Sequence, residues 1–275
     1  MKNIYTFNGK PARRNFTVAD LQARKGAETK LTMVNPSSQE EAQAAVEAGI
    51  DLFTLWDEQV ELIREVAPHH FAGSGMAWEA HVSNDDILRA GIASMEKGAD
   101  FFYTNRSFEA IELLAKNGIP VQSHVGLVPR LSTWVGGLRA IGKTAAEAIE
   151  LYRTFKRLEE VGCFAVEIEC VAEEAMEILN NKTSIVTCSL GSGYAGDIIF
   201  LFVHDICGEA PNKPKHARAF GDIGRLHAQI YSERVAAMSA FRDAVNAGEF
   251  PGKKESVSMP ANEKDKLLEM LDKAG

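Results

Sequence analysis

Four times along this chain a charged, amphipathic stretch ends in a glycine and passes at once into a strand-like run. Glu47-Ala-Gly49 precedes Ile50-Asp-Leu-Phe53, Glu96-Lys-Gly98 precedes Ala99-Asp-Phe-Phe102, Lys116-Asn-Gly118 precedes Ile119-Pro-Val121, and Glu160-Val-Gly162 precedes Cys163-Phe-Ala-Val166. A glycine that takes the left-handed conformation stops a helix, so each joint reads as helix to strand. Helical spacing covers Gln39 to Ala48, Asp85 to Lys97, Phe108 to Asn117, Thr144 to Glu160 and Ala172 to Asn180. Strands are expected at Leu31 to Val34, Leu52 to Trp56, His70 to Gly73, Ala99 to Tyr103, Pro120 to His124, Phe164 to Glu169, Ile185 to Ser189 and Ile199 to His204. Alternating helices with eight short strands predict a (β/α)8 TIM barrel over 29–210 rather than an open sheet. The polar residues 1–28 form an arm or cap in this reading. Residues 211–275 form a C-terminal helical extension: helix over Ala217 to Ala247, broken near Gly221 and Gly224, then a shorter one from Asn262 to Lys273.

The 275 residues and 45% hydrophobic content suit one such barrel. The longest apolar run, around Ile198 to Val203, is far shorter than the roughly 18 residues of a membrane span, and no apolar leader opens the chain. A cytoplasmic protein with no membrane partner is expected. A formal charge of −8, without a basic stripe, argues against nucleic acid while leaving acidic small molecules open. Cys163, Cys170, Cys188 and Cys207 show no metal-binding or redox spacing and read as reduced core thiols.

Strand side chains alternate, and a barrel's outward set must be apolar to pack on helices. In Phe164-Ala-Val-Glu-Ile-Glu169 the outward set is Phe164, Val166 and Ile168, which turns Ala165, Glu167 and Glu169 inward. Glu169 falls at the rim where barrel enzymes keep their chemistry. Buried together, the two carboxylates cannot readily both ionise. The same reasoning at the other strand ends collects Asn35, Asp57, Tyr103, Asn105, Gln122, His124, Thr187 and Ser189 into a polar ring. A structural hydrogen-bond network is the competing explanation of that ring.

The segment Gly118-Ile-Pro-Val-Gln-Ser-His124-Val-Gly-Leu-Val-Pro129 resembles the ketopantoate hydroxymethyltransferase family of the phosphoenolpyruvate mutase and isocitrate lyase superfamily. So do Val166-Glu-Ile-Glu169-Cys-Val171, Ser189-Leu-Gly191-Ser-Gly193, His204-Asp205, Lys213-Pro-Lys215-His-Ala-Arg-Ala-Phe220 and Phe250-Pro-Gly252. The resemblance implies an aldol-type hydroxymethyltransferase of pantothenate biosynthesis, a homo-oligomer acting beside the carbonyl of a small 2-oxo acid. Methylenetetrahydrofolate is the implied one-carbon donor, and Mg2+ or another divalent ion the implied metal. It makes Glu169 the base and His124 a catalytic group on the substrate side. Asp57 becomes the metal ligand, and Trp56, Tyr103, Asn105, Glu167 and Ser189 shape the substrate pocket. The first half departs from the family: its second metal aspartate falls near Gly75, its metal-shell glutamate at Asn105 and the neighbouring lysine at Tyr103. An ion would bind weakly there unless Glu58, Glu79 or Glu167 substitutes. A carbon-carbon lyase or another transferase of the superfamily, with a changed or absent metal, and a silent paralogue are the rival readings.

Gly191-Ser-Gly193-Tyr-Ala-Gly196 matches a dinucleotide fingerprint, but too little chain follows for the helix such a unit needs. His69-His70 reads as a strand entry, since adjacent strand residues face opposite ways. Trp78-Glu79-Ala-His81 lies where a loop after the third strand would touch substrate.

Overall fold

The computed structural model describes residues 1–75, 81–210 and 212–274, which form two compact units, 1–221 and 222–275. Unit one opens with an antiparallel pair, β1 (Lys2–Tyr5) and β2 (Pro11–Arg14), and a short helix α1 (Val18–Ala23). There follow β3 (Leu31–Val34), α2 (Gln39–Glu47), β4 (Leu52–Trp56), α3 (Val60–Val66), β5 (Phe71–Gly75), α4 (Asn84–Glu96), β6 (Phe101–Tyr103) and α5 (Phe108–Lys116). The unit closes with β7 (Val121–Gly126), α6 (Ala145–Glu160), β8 (Ala165–Glu169), α7 (Glu173–Asn180), β9 (Val186–Leu190), β10 (Ile198–Phe200) and α8 (Val203–Ile206). Strands β3 to β10 are all parallel and close into one barrel, with β10 pairing both β9 and β3.

The four joints do the work expected of them: Gly49, Gly98, Gly118 and Gly162 lie at φ of 78, 104, 77 and 83°. At the opposite helix ends a hydroxyl caps the exposed N–H groups: Ser38 for α2, Ser83 for α4, Ser107 for α5 and Thr144 for α6. Strand pleating then sorts the side chains into two layers. Val34, Phe53, Leu55, Phe102, Val121, Val166 and Ile168 pack against the helices, while Met33, Leu52, Phe71, Phe101, Ala165 and Cys188 fill the interior.

Several expectations need correction. Phe164 belongs to the interior cluster and meets Phe101 edge-on, with ring centroids 5.8 Å apart. It precedes the first paired residue of β8, so the pleat does not yet dictate its side. The last strand stops at Phe200, and His204 sits in helix α8. Residues 1–28, read above as an arm or cap, hold β1, β2 and α1 within the first compact unit, which leaves that reading open. In unit two, α9 (Ile223–Asn246) runs unbroken through Gly224, because glycine inside a helix weakens it without ending it. A last helix, α10, spans Ala261–Ala274. All four cysteines are free, Cys163 and Cys188 buried and the other two half-buried.

The N-terminal segment is tied to the barrel by a buried ionic cluster. Arg14 Nε lies 2.7 Å from Asp100 Oδ1 and Arg64 Nη2 lies 2.7 Å from Asp100 Oδ2, which also accepts the Ala72 N–H at 3.0 Å. Replacing Asp100 with Ala leaves two guanidinium groups buried without their anion. A loss of about 3–5 kcal/mol is expected, readable as a lowered urea midpoint with unchanged slope.

Candidate active site

At the C-terminal ends of β7 and β8 the parallel register sets His124 beside Glu167. With period two, Glu169 lies one step further toward the rim on the same inward face. His124 Nε2 is 3.1 Å from Glu169 Oε2 and 3.6 Å from Glu167 Oε1, and the side chains are only 7% (His124), 16% (Glu169) and 7% (Glu167) exposed. Close as they are, the ring nitrogen is aligned for a hydrogen bond with neither carboxylate and has no other partner among the described residues. From β6 the Tyr103 hydroxyl donates to Glu167 Oε1 at 3.3 Å.

Burial sets the charge states of this group, and the neighbours modify them. Desolvation works to lower the His124 pKa, but the adjacent Glu169 carboxylate and the negative charge of Glu167 outweigh it and raise the imidazole above its ordinary value. Burial pushes the Glu167 carboxyl up, opposed by His124 and reinforced by the negative charge of Glu169. Tyr103 is also pushed up, first by burial and then by Glu167 and Glu169, so its hydroxyl stays a donor. Beside the cluster a cavity of about 130 Å³ is lined by Asn35, Thr54, Trp56, Tyr103, Glu167, Phe200 and Phe202, among others.

The remaining expected site residues separate from this centre. Trp56 lines the cavity and Asp57, the next residue, turns to the other side. Its carboxylate is held by Lys97 and Ser94, with Ser74 Oγ 3.4 Å away, in the layer between barrel and helix α4. Burial works to raise the Asp57 pKa, but the hydrogen bonds from Lys97 and Ser94 prevail and hold it below the usual carboxylate value. Asn105 is engaged by Arg130, which donates to its side-chain oxygen at 3.2 Å and to its carbonyl at 2.7 Å. Thr187 and Ser189 also face outward: Cys188 and Leu190 take the inward positions, in register with Glu167 and Glu169. The Ser189 hydroxyl donates to the Gly193 carbonyl at 2.7 Å, while the Thr187 N–H donates to Asp197 Oδ2 at 2.8 Å. Polar residues can face outward here because Asp197 and Asn180 supply partners, which the alternation rule does not foresee. Gln122 is buried facing inward, and its amide nitrogen has no partner among the described residues. Trp78 and Glu79 lie outside the described residues, whereas the His81 carbonyl accepts from Arg106. Sequence reasoning missed Thr54, Phe200 and Phe202 as cavity walls. Choosing Trp56 over Asp57 as the inward end of β4 would have found Thr54.

A buried imidazole between two carboxylates at the C-terminal mouth of a closed parallel barrel defines an α/β-barrel enzyme. A model of the family "Ketopantoate hydroxymethyltransferase" matches residues 58–253. The 3-methyl-2-oxobutanoate hydroxymethyltransferase of Hyperthermus butylicus is 29% identical over 94% of this chain and 96% of its own. That of Ignicoccus hospitalis is 27% identical over 87% of this chain and 98% of its own. Among solved structures, a Burkholderia cenocepacia J2315 protein described as a phosphonomutase superposes with a TM-score of 0.53 at 10% identity, over 81% of this chain and 100% of that one, a likeness of fold alone. The chain belongs to the ketopantoate hydroxymethyltransferase family, and with it to the transferases.

The raised His124 pKa carries a sign. A group whose folded-state pKa is raised stabilises fully below its unfolded value and loses that contribution as pH rises through the folded one. In chelator-treated protein the His124 ring resonances are therefore expected to titrate above the ordinary imidazole value by NMR, and Glu169→Gln should move the midpoint down. An unmoved midpoint would show that Glu169 does not set the charge of this ring.

Proposed function

We propose that this enzyme works at the carbon next to the ketone of a small 2-oxo acid, in an aldol-type hydroxymethyl transfer with Glu169 as the base. The observation that carries the reading is the Glu169 carboxylate 3.1 Å from the His124 imidazole, both largely buried at the barrel mouth. Glu169 takes the proton alpha to the carbonyl; the electron pair of that C–H bond becomes the C=C bond of the enolate while the ketone's C=O π pair moves onto its oxygen. His124, carrying a proton, stands where it can donate a hydrogen bond to that oxygen. In this reading water first releases the one-carbon unit of methylenetetrahydrofolate as formaldehyde, both C–N bonds breaking and tetrahydrofolate leaving with their electron pairs and the two water protons. The enolate carbon then attacks formaldehyde, whose C=O π pair moves to its oxygen and takes back the proton from Glu169 to give the hydroxymethyl group. Trp56, Tyr103, Phe200 and Phe202 give the cavity apolar and aromatic walls suited to a short alkyl chain. Glu167, with its raised pKa, holds a proton more readily than an exposed carboxyl and adds less negative charge against an incoming carboxylate.

Relatives of this kind imply a magnesium ion at the aspartate matched by Asp57. The residues do not fit that ion. The Lys97 ammonium occupies the carboxylate, and the companion family positions hold Gly75 and Asn105, so no step of this mechanism passes through a metal at Asp57. The same departures favour, as a second reading, a carbon-carbon lyase of the superfamily that uses the same base in the reverse sense. We also propose a cytoplasmic homo-oligomer acting on small molecules. No described helix is long and apolar enough to cross a membrane, and α9 exposes Tyr231, Met238 and Phe241, side chains suited to a subunit contact.

Proton exchange tests the base directly. Wild-type protein incubated with 3-methyl-2-oxobutanoate in deuterated buffer should wash deuterium into the alpha position. Glu169→Gln should lower that rate by at least about 100-fold while leaving substrate affinity nearly intact, and undiminished exchange in the variant would remove Glu169 from the role.

A further inference from the structure

We infer that His124, Glu167 and Glu169 form a site for a transition-metal dication of the zinc, cobalt or manganese kind, separate from Asp57. His124 Nε2 and one oxygen from each carboxylate lie within 4.8 Å of one another, the one such group among the described residues. Two of the separations are 3.1 and 3.6 Å. An ion with bonds of about 2.1 Å sets neighbouring donors about 3.0–3.4 Å apart, so small side-chain rotations bring the three atoms onto one centre.

A second observation points to a ligand independently of the acidic pair. His124 is 7% exposed, and its Nε2 has no aligned hydrogen-bond partner although two carboxylates stand beside it. A buried polar atom without an aligned partner is rare in folded proteins, and a metal ion shared with the two carboxylates would satisfy it. Charge argues the same way. Two carboxylates with a neutral imidazole carry two negative charges, an imidazolium cancels one of them, and a dication cancels both. Tyr103 steadies the cluster from outside by donating to Glu167 Oε1, the kind of support that orients metal ligands.

The donor set also selects the ion. Magnesium prefers oxygen alone and parts reluctantly with water, whereas a nitrogen with two carboxylates suits the later first-row dications. Glu169 offers one oxygen to the ion and keeps the other for proton transfer. The assignment rests on the cluster itself and not on which carbon acid the enzyme uses, so the two can fail separately.

Chelator-treated full-length protein titrated with cobalt(II) or with magnesium, followed by calorimetry and by the visible absorption of cobalt, tests the site. One cobalt per chain should bind, at least about 100-fold more tightly than magnesium, with a spectrum showing nitrogen ligation. His124→Gln and Glu167→Gln, each checked for an unchanged circular dichroism spectrum, should weaken cobalt at least about 100-fold, and Asp57→Asn should leave it within about threefold. The wild-type contrast between cobalt and magnesium needs no variant and stands if either variant fails to fold. Absence of stoichiometric cobalt binding, magnesium binding as tightly as cobalt, or loss of cobalt on Asp57→Asn overturns the assignment. Alpha-proton exchange is read on the same samples: cobalt binding without exchange retains the site and removes the proposed reaction, whereas exchange without binding does the reverse.

Discussion

Two carboxylates on one buried face of β8 need positive charge or protons near them, and the rest of the site follows from how that need is met. His124 comes from β7, the neighbouring strand, and register places it level with Glu167. Tyr103 comes from β6, one strand further, and its hydroxyl reaches the Glu167 oxygen. Three adjacent strands therefore assemble the cluster, and their parallel pairing holds the phenol, the imidazole and the two carboxylates together. A closed barrel excludes bulk water from this place, which makes each charge costly and each pairing strong.

Asp57, just past the end of β4, shows the opposite solution for a carboxylate. It leaves the interior and meets Lys97 and Ser94 on helix α4 and its C-terminal cap, where partial exposure and a cation make ionisation easy. Asp57 thus belongs to the joint between barrel wall and helix, while the acidic groups at the mouth come from β8.

Much of this was legible beforehand. The glycine joints announced alternating helices and strands because a left-handed residue after a charged, amphipathic run has few other uses. Val166 and Ile168 identified the packed face of β8 and hence the inward face of Glu167 and Glu169, since the strand period is two and apolar residues must meet helices. At β4 and β9 the same rule misled. Trp56 and Asp57 cannot both face inward, and the polar pair Thr187 and Ser189 turned outward because Asp197, Asn180 and the Gly193 carbonyl wait there. Hydrophobic pattern reports what must be buried; it is silent about polar groups whose partners come from elsewhere in the chain.

The sequence by itself determined the number and order of the barrel strands, the stopping points of the helices and the shared face of two glutamates, all of which depend on residues within a few positions of one another. Only the tertiary structure decided that His124 stands between those glutamates, that Lys97, forty residues beyond Asp57, claims its carboxylate, and that Arg130 claims Asn105. Those pairings join groups distant along the chain, and the closure of the barrel sets their distances; no local period encodes them.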